Sequence, residues 1–206
     1  MTNFLKAKDG TQLAYDFWQG EKEKPGIVLV HMLPSNRSSW RPLVPFLQKE
    51  GWSVIAIDYR GRGESGGKLV SPQDFQNIAL DVDAAIDFLQ QKGIKTIGIV
   101  GASIGANHAL LAGLRHPSIK SVVLLSPGLD YRGVKVADVA SKLGKPLLVV
   151  ASEDDAYSAQ SSKEIIRLAK EPKALKIYSA AGHGTDMLNQ PDLIPLLIDW
   201  LKKGFG

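Results

Sequence analysis

Short apolar runs that alternate with amphipathic segments constrain the fold of this chain more than any other feature of its sequence. The runs have the length of buried β-strands, and the segments between them repeat their apolar residues with a helical period. Strands separated by helices pair in parallel, and the helices cover both faces of the sheet. Five runs have this character, and a sixth, less apolar run suits a sheet edge; they are residues 26–31, 53–57, 96–101, 121–125, 146–151 and, at the edge, 174–178.

The helices are predicted between these runs. The clearest covers residues 72–91, because Ser71 supplies an N-cap, Pro72 suits the first helical position and Gly93 supplies a stop. Other helices are expected at residues 39–50, 104–116, 159–170 and 192–202. Residues 3–8 and 12–18, joined by Asp9-Gly10, predict an N-terminal antiparallel hairpin.

These elements predict an α/β fold with a mostly parallel central sheet, an N-terminal antiparallel hairpin and helices on both faces. The chain has 206 residues, 44% of them hydrophobic, which is enough for one substantial core. The sequence contains no internal repeat, low-complexity tract or linker. We therefore expect a single domain over residues 1–206.

Composition excludes several classes of function. The 25 Lys and Arg residues are scattered among 21 Asp and Glu, whereas nucleic-acid binding needs clustered cations. The absence of cysteine removes disulfides, thiolate chemistry and cysteine-based zinc sites. The first residues lack the apolar core of a signal peptide, and no apolar run approaches transmembrane length. We expect a cytoplasmic protein with neither nucleic acid nor membrane as a partner, although a leader removed before residue 1 leaves no trace here.

The stretch from Gly101 to Gly105, Gly-Ala-Ser-Ile-Gly, lies between a predicted strand and a predicted helix. Small residues two positions on either side of a serine allow a sharp strand-to-helix turn, which lifts the hydroxyl above the carboxyl end of the sheet. Ligands of α/β folds bind at that edge. Ser103 is therefore a candidate nucleophile, and the alternative is a serine that only caps the helix.

A nucleophilic serine needs a neighbouring base. His108 and His116 lie on the helix after Ser103, which carries them away from its hydroxyl, and His31 ends the first central strand. His183 lies between glycines in a loop that follows the predicted edge strand, at the carboxyl edge of the sheet. It is the candidate base.

The base needs a carboxylate that holds its tautomer and stabilises the imidazolium. Glu153, Asp154 and Asp155 follow the strand predicted at residues 146–151, so that serine, acid and histidine occur in that order along the chain. The alternative for each acid is a solvated turn or a helix start.

With these three loops, the chain resembles the α/β-hydrolases over nearly its whole length. Residues 58–65, Asp-Tyr-Arg-Gly-Arg-Gly-Glu-Ser, are similar to the D-x-R-G-x-G-x-S loop of many members. The resemblance favours Asp155 as the acid. It also implies an oxyanion hole formed by the backbone N–H groups of Leu33 and Ile104. In the segment His-Met-Leu-Pro at residues 31–34, Met32 and Pro34 replace two family glycines, which affects the geometry of that hole.

The resemblance implies a serine hydrolase that cleaves carboxylic esters or thioesters without a metal or organic cofactor. A cofactor-free perhydrolase and a dienelactone-hydrolase-like enzyme are alternatives, although the familiar members of the latter group use cysteine. A non-catalytic ligand-binding protein is a further alternative. Many members insert a helical cap where this chain has only residues 126–145, enough for a loop and one short helix at 134–143. We therefore expect an open site for small, short-acyl substrates, with an oligomeric state that the sequence does not indicate.

Overall fold

A computed structural model describes residues 2–206 of the chain. Its elements alternate along the sequence as the apolar runs predict. The strands are β1 Asn3–Lys6, β2 Gln12–Trp18, β3 Gly26–Val30, β4 Ser53–Ile57, β5 Ile97–Ala102, β6 Ile119–Leu125, β7 Asp130–Tyr131, β8 Val134–Lys135, β9 Leu147–Ser152 and β10 Lys173–Tyr178. The helices are α1 Val44–Lys49, α2 Pro72–Gln76, α3 Ile78–Gln91, α4 Ile104–Arg115, α5 Ala137–Ala140, α6 Ala156–Leu168 and α7 Leu193–Phe205, with 3-10 helices at Arg37–Trp40 and Gly184–Asn189.

Eight strands form one sheet in the order β1-β2-β4-β3-β5-β6-β9-β10. The strands from β4 to β10 in this order pair in parallel, while β1 with β2 and β2 with β4 pair antiparallel. The predicted fold class is confirmed, including the N-terminal hairpin and the edge position of β10.

Two apolar cores cover the faces of this sheet. Alternate side chains of a strand point to opposite faces, so Val28 and Val30 of β3 enter one core while Ile27 and Leu29 enter the other. Helices α3, α4 and α6 cover the first face, and α1 and α7 cover the second. The strand runs are apolar throughout because both of their faces are buried.

Two predicted helices are interrupted. The helix expected at residues 39–50 is a 3-10 turn that ends at Trp40, followed by α1 from Val44. Pro42 lies in the break, where it has no N–H to continue a helical ladder. The helix expected at residues 72–91 is divided at Asn77, which is both the C-cap of α2 and the N-cap of α3. Its side chain accepts a hydrogen bond from Gln73 Nε2 at 2.8 Å.

The interval between β6 and β9 holds no large cap within residues 2–206. It contains the β7–β8 hairpin and the four-residue helix α5. The short helix expected at residues 134–143 is therefore wrong in its first part: Val134 pairs with Tyr131 in the hairpin, and its carbonyl accepts a hydrogen bond from Asn107 Nδ2 at 2.7 Å. Within the described residues, none of the helices is long and apolar enough to cross a membrane.

Candidate active site

Ser103 lies in a strained turn between β5 and α4. Its φ of 57° and ψ of −124° are rare for a residue with a side chain. A Cβ added at Gly101 would lie 2.2 Å from Gly105 O, and one added at Gly105 would lie 2.4 Å from Val30 O. Only glycine fits at either position, which explains the spacing of the two glycines around the serine.

The Ser103 side chain does not cap the helix that follows it. The residue occupies the N-cap position of α4, yet its hydroxyl makes no capping hydrogen bond. Its backbone N–H donates to Leu125 O at 2.8 Å, which ties the turn to the neighbouring strand β6. The alternative of a serine that only caps the helix is therefore not supported.

His183 and Asp155 form a hydrogen-bonded pair. His183 Nδ1 lies 2.5 Å from Asp155 Oδ2, while Asp155 Oδ1 accepts from the Ser158 N–H at 3.3 Å and caps α6. Partial burial alone raises the pKa of Asp155, but the hydrogen bonds from Ser158 and His183 outweigh it, and the pKa lies below its usual value. Asp155 is thus held as an anion against the imidazole.

The other two acids of this loop point elsewhere. Asp154 is exposed, and its Oδ2 accepts from the Gly182 N–H at 3.2 Å. Glu153 is also exposed, and its backbone N–H bonds to Tyr178 O at 2.8 Å. Of the three candidate acids, the structure brings Asp155 alone to His183.

Two serines that the sequence analysis did not single out hold the histidine loop. Ser126 Oγ accepts from the Gly184 N–H at 2.9 Å, and Ser152 Oγ accepts from the Ala181 N–H at 2.7 Å. Both serines follow or end a strand, so this loop is fixed to the carboxyl edge of the sheet on either side of His183. Each is a buried serine at a strand end, and that position is the signal by which the sequence analysis would have found it.

Ser103 and His183 lie in the same region, although no hydrogen bond joins their side chains among residues 2–206. A Cβ added at Gly184 would lie 3.4 Å from the Ala102 Cβ, which places the residue after the histidine beside the residue before the serine. The structure therefore places a hydrogen-bonded His–Asp pair in the same region as a serine whose hydroxyl makes no capping hydrogen bond. The link from Ser103 to His183 that would complete a triad is a proposal.

The two expected oxyanion donors have backbone N–H groups without a hydrogen-bond acceptor in the described chain. Ile104 begins α4, where the first N–H groups have no intrahelical acceptor, and Leu33 lies in the loop after β3. Both N–H groups are therefore free for the role that the sequence analysis expects of them.

His31 orients the peptide that carries the Leu33 N–H. Its Nδ1 lies 2.7 Å from the Met32 carbonyl oxygen, which belongs to the same peptide unit as the Leu33 nitrogen. Because that unit is planar and trans, a hydrogen bond to the carbonyl on one side fixes the direction of the N–H on the other. The sequence analysis passed over His31 as the end of a strand.

The environment of His31 keeps its imidazole neutral and fixed. Burial lowers the pKa of His31 to about 4, and its ring stacks on Tyr59 at 4.0 Å between centroids. A neutral imidazole that donates from Nδ1 to a carbonyl leaves Nε2 without its proton. The proton is therefore held on the nitrogen that faces Met32.

The remaining histidines bond away from Ser103. His108 is buried, with Nε2 3.0 Å from Phe75 O, and His116 Nε2 lies 2.7 Å from Asp83 Oδ1. His108 lies on α4 as expected, His116 directly follows its last residue, and within the described residues neither side chain is hydrogen-bonded to Ser103.

The loop at residues 58–65 supports the site without entering it. The buried Asp58 carboxylate accepts from the Arg37 backbone N–H at 2.6 Å and from the Arg37 guanidinium, which anchors the loop after β3. Arg60 pairs with buried Asp81 at 2.7 Å. Among residues 2–206, no three His, Asp or Glu side chains are grouped as metal ligands.

Known proteins resemble this chain in sequence and in fold. A family model for the alpha/beta hydrolase fold matches residues 25–139. A bifunctional esterase/perhydrolase of Acinetobacter calcoaceticus is 30% identical over 125 residues, which cover 60% of this chain and 44% of that protein. A monoacylglycerol lipase of Mycolicibacterium smegmatis is 28% identical over 180 residues, which cover 83% of this chain and 60% of that protein. The chain thus spans about half the length of these two relatives.

Solved structures share this fold over nearly the whole chain. An esterase of Pyrococcus furiosus superimposes with a TM-score of 0.86 at 20% identity, covering 100% of this chain and 91% of that chain. An esterase of Exiguobacterium antarcticum gives a TM-score of 0.82 at 16% identity, covering 98% of this chain and all of that chain. At these identities the likeness concerns the fold. With a family model matched over more than half of its length and this architecture, the chain belongs to the α/β-hydrolase fold family.

Proposed function

We propose that the protein is a serine hydrolase that cleaves carboxylic esters or thioesters by acyl transfer. The observation that carries the proposal is a serine in a strained strand-to-helix turn whose hydroxyl makes no capping hydrogen bond. It lies in the same region as a histidine that is hydrogen-bonded to a carboxylate. A serine hydroxyl attacks a carbonyl only when a base removes its proton, and a carboxylate keeps that base in the correct tautomer. Relatives named as an esterase/perhydrolase and a lipase support this reaction class.

In this mechanism Ser103 Oγ attacks the acyl carbon while its proton passes to His183 Nε2. The electron pair of the carbonyl moves onto oxygen, which the N–H groups of Leu33 and Ile104 receive. Asp155 stabilises the imidazolium through Nδ1. The imidazolium then protonates the leaving group, and water repeats the sequence to release the acid. These steps need no metal or organic cofactor.

The substrates that we propose have small, short acyl groups. Between β6 and β9 the described chain forms only a two-stranded hairpin and a four-residue helix, which provide little apolar surface for a long acyl chain. Each buried methylene contributes about 0.8 kcal/mol, so the lack of a deep channel favours short esters.

A second candidate reaction is perhydrolysis. The relative from Acinetobacter calcoaceticus is named for both activities, and hydrogen peroxide can replace water as the nucleophile that attacks the acyl-enzyme. The products are then a peracid and free Ser103. A dienelactone-hydrolase-like role has less support, because the chain has no cysteine.

A fluorophosphonate probe and an ester panel test the proposal. We expect the probe to label wild-type protein at Ser103 and to leave Ser103→Ala unlabelled, and hydrolysis to fall about a million-fold in that variant. p-Nitrophenyl acetate and butyrate should give higher kcat/KM than the palmitate, and adding peroxide to the acetate reaction tests for peracid. A wild-type protein that is neither labelled nor active would favour a non-catalytic ligand-binding role.

The preference for short acyl groups is the part of the proposal that the ester panel tests most directly. A preference for acyl groups of twelve or more carbons would contradict it. Such a result would indicate that a long acyl chain binds in the open groove of about 480 Å³ that Leu129 and residues of α6, among them Tyr157, line.

A further inference from the structure

The β7–β8 hairpin is fixed to the helix that begins at the nucleophile. Asn107 of α4 is fully buried. Its Nδ2 donates to Val134 O at 2.7 Å, and its Oδ1 accepts from the Gly128 N–H at 3.2 Å. One side chain of α4 thus holds both strand β8 and the segment that leads into β7.

Tyr131 of this hairpin and Tyr157 of α6 fasten the two elements to each other. The Tyr131 hydroxyl lies 2.8 Å from Ser158 Oγ, and the Tyr157 hydroxyl bonds to the backbone N–H and carbonyl of Asp130, both at 3.0 Å. The two rings meet edge to face, with centroids 5.6 Å apart. A Cβ added at Gly128 would lie 2.7 Å from Tyr157 Cε1 and 2.8 Å from Tyr131 Cε2, so the rings close over this glycine without space for a methyl group.

This tyrosine pair lies between the candidate base and a groove. The Tyr131 ring stands edge-on to the His183 imidazole, with centroids 6.5 Å apart. Tyr157, which is 48% exposed, lines the open groove of about 480 Å³ together with Leu129. Ligand pockets have volumes of about 300–1,000 Å³, so the groove has the size of a ligand site. From the base outward, the contacts run from His183 to Tyr131, then to Tyr157 and the groove.

We propose that the Tyr131 ring is the specificity-determining wall of the acyl site, and that it closes the groove to an acyl chain bound at Ser103. The inference rests on the proposed function and names the residue that limits chain length. A chain that extends from the acyl carbon toward the hairpin meets the ring, and its further methylenes stay in water. Each methylene that a site does bury raises kcat/KM about fourfold, and the wall withholds this gain from longer esters.

The test is Tyr131→Ala, which removes the ring. The kcat/KM values for p-nitrophenyl butyrate and octanoate are measured in the wild type and in the variant. In the wild type we expect the octanoate to be the poorer substrate. In Tyr131→Ala the ratio of octanoate to butyrate should rise by about tenfold or more, because the groove then buries part of the longer chain.

Tyr131→Phe is the matched control. It keeps the ring and loses the hydrogen bond to Ser158 Oγ, as Tyr131→Ala also does, so any loosening of the hairpin is common to both variants. Changes in its rates should be the same for both esters, which leaves the ratio at the wild-type value. Thermal melting verifies folding, and Tyr131→Leu, with an intermediate ratio expected, replaces the alanine variant if that variant is unfolded.

A double variant tests whether the groove receives the chain. Gln160 is exposed on α6 and lines the groove. In Tyr131→Ala/Gln160→Trp an indole ring fills part of this space, so the ratio of octanoate to butyrate should return toward the wild-type value while butyrate is still hydrolysed. An undiminished ratio would show that the chain binds elsewhere, which overturns the inference.

The remaining outcomes separate this inference from the proposed function. If the wild type hydrolyses short esters while Tyr131→Ala and Tyr131→Phe give the same ratio, the wall is overturned and the proposed function stands. A wild type that prefers the octanoate to the butyrate would also overturn the wall alone. A wild type that a fluorophosphonate does not label and that hydrolyses neither ester would remove both proposals.

Discussion

Asp155 performs two tasks with one carboxylate. One oxygen caps α6 and the other accepts the His183 hydrogen bond. The start of α6 at Ala156 decides which acid meets the histidine, because the side chain of an N-cap residue is held over the first turn of its helix. The residues alone left Glu153, Asp154 and Asp155 open, since the expected start of this helix, residue 159, lies three positions too late to make Asp155 its cap.

Asp155→Asn should lower kcat by about four orders of magnitude, because an amide neither stabilises the imidazolium nor holds the productive tautomer. Asparagine also caps helices well, so the free energy of unfolding should change little. Steady-state hydrolysis of p-nitrophenyl acetate measures the effect. Asp154→Asn is the matched control and should stay close to the wild type, because Asp154 bonds to the Gly182 N–H at the surface. Similar losses in the two variants would move the acid assignment away from Asp155.

Individual elements were predictable where burial dictates the residue type. The central parallel strands lie within one or two residues of the apolar runs, because both faces of each strand are buried. Helices were harder to place. Pro42 interrupts a continuous apolar period because it has no N–H, and the apolar period of residues 72–91 contains no signal for the break at Asn77. The hairpin that presents Tyr131 was not predicted at all, because two-residue strands give too short a pattern and its position depends on Asn107.

The loop after β3 shows how an element positions a backbone donor. We expect His31→Phe to retain the stack on Tyr59 and lose the hydrogen bond to Met32 O. The Leu33 N–H then loses its fixed direction, and kcat should fall about tenfold to a hundredfold with little change in KM, because the oxyanion forms only in the transition state.

Tyr59→Phe is the control for this variant. It preserves the stack on His31 and removes a buried hydroxyl that has no hydrogen-bond partner in the described part of the chain. Its kcat should remain near that of the wild type. A rise in KM with unchanged kcat in His31→Phe would show that the loop contributes to substrate binding and not to oxyanion stabilisation.

For the molecule as a whole, the strand order brings together loops that are far apart in sequence. Strands β3, β5, β6 and β9 are successive neighbours in the sheet, and their carboxyl ends deliver Leu33, Ser103, Ser126 and Asp155 to one edge. This convergence was predictable, because consecutive parallel strands with right-handed crossovers place their carboxyl ends together. The contacts across the edge were not predictable, since hydrogen bonds such as that from the Gly184 N–H to Ser126 Oγ depend on loop conformations that no periodic pattern specifies.

The two buried histidines make the whole molecule sensitive to acid. Burial lowers the pKa of both His31 and His108 from 6.5 to about 4. Between these pH values the unfolded chain binds a proton at each histidine and the folded chain does not, so the free energy of unfolding falls as the pH falls. Each histidine lowers the free energy of unfolding by up to about 1.4 kcal/mol for each pH unit of acidification in this window, and the loss is complete below about pH 4.

Urea titrations at several pH values between 7 and 4.5 measure this slope, and His108→Gln isolates one of its sources. Glutamine retains a donor for the Phe75 carbonyl but cannot titrate, so the variant should lose stability more slowly on acidification, by about 1.4 kcal/mol per pH unit. His31 remains in this variant, so part of the slope should persist. Because the His108 side chain bonds to Phe75 O, away from Ser103, the proposed hydrolysis of p-nitrophenyl acetate at pH 7 should be retained. A wild type and a variant with the same slope would show that His108 gains its proton without unfolding, for example because α4 shifts to admit water.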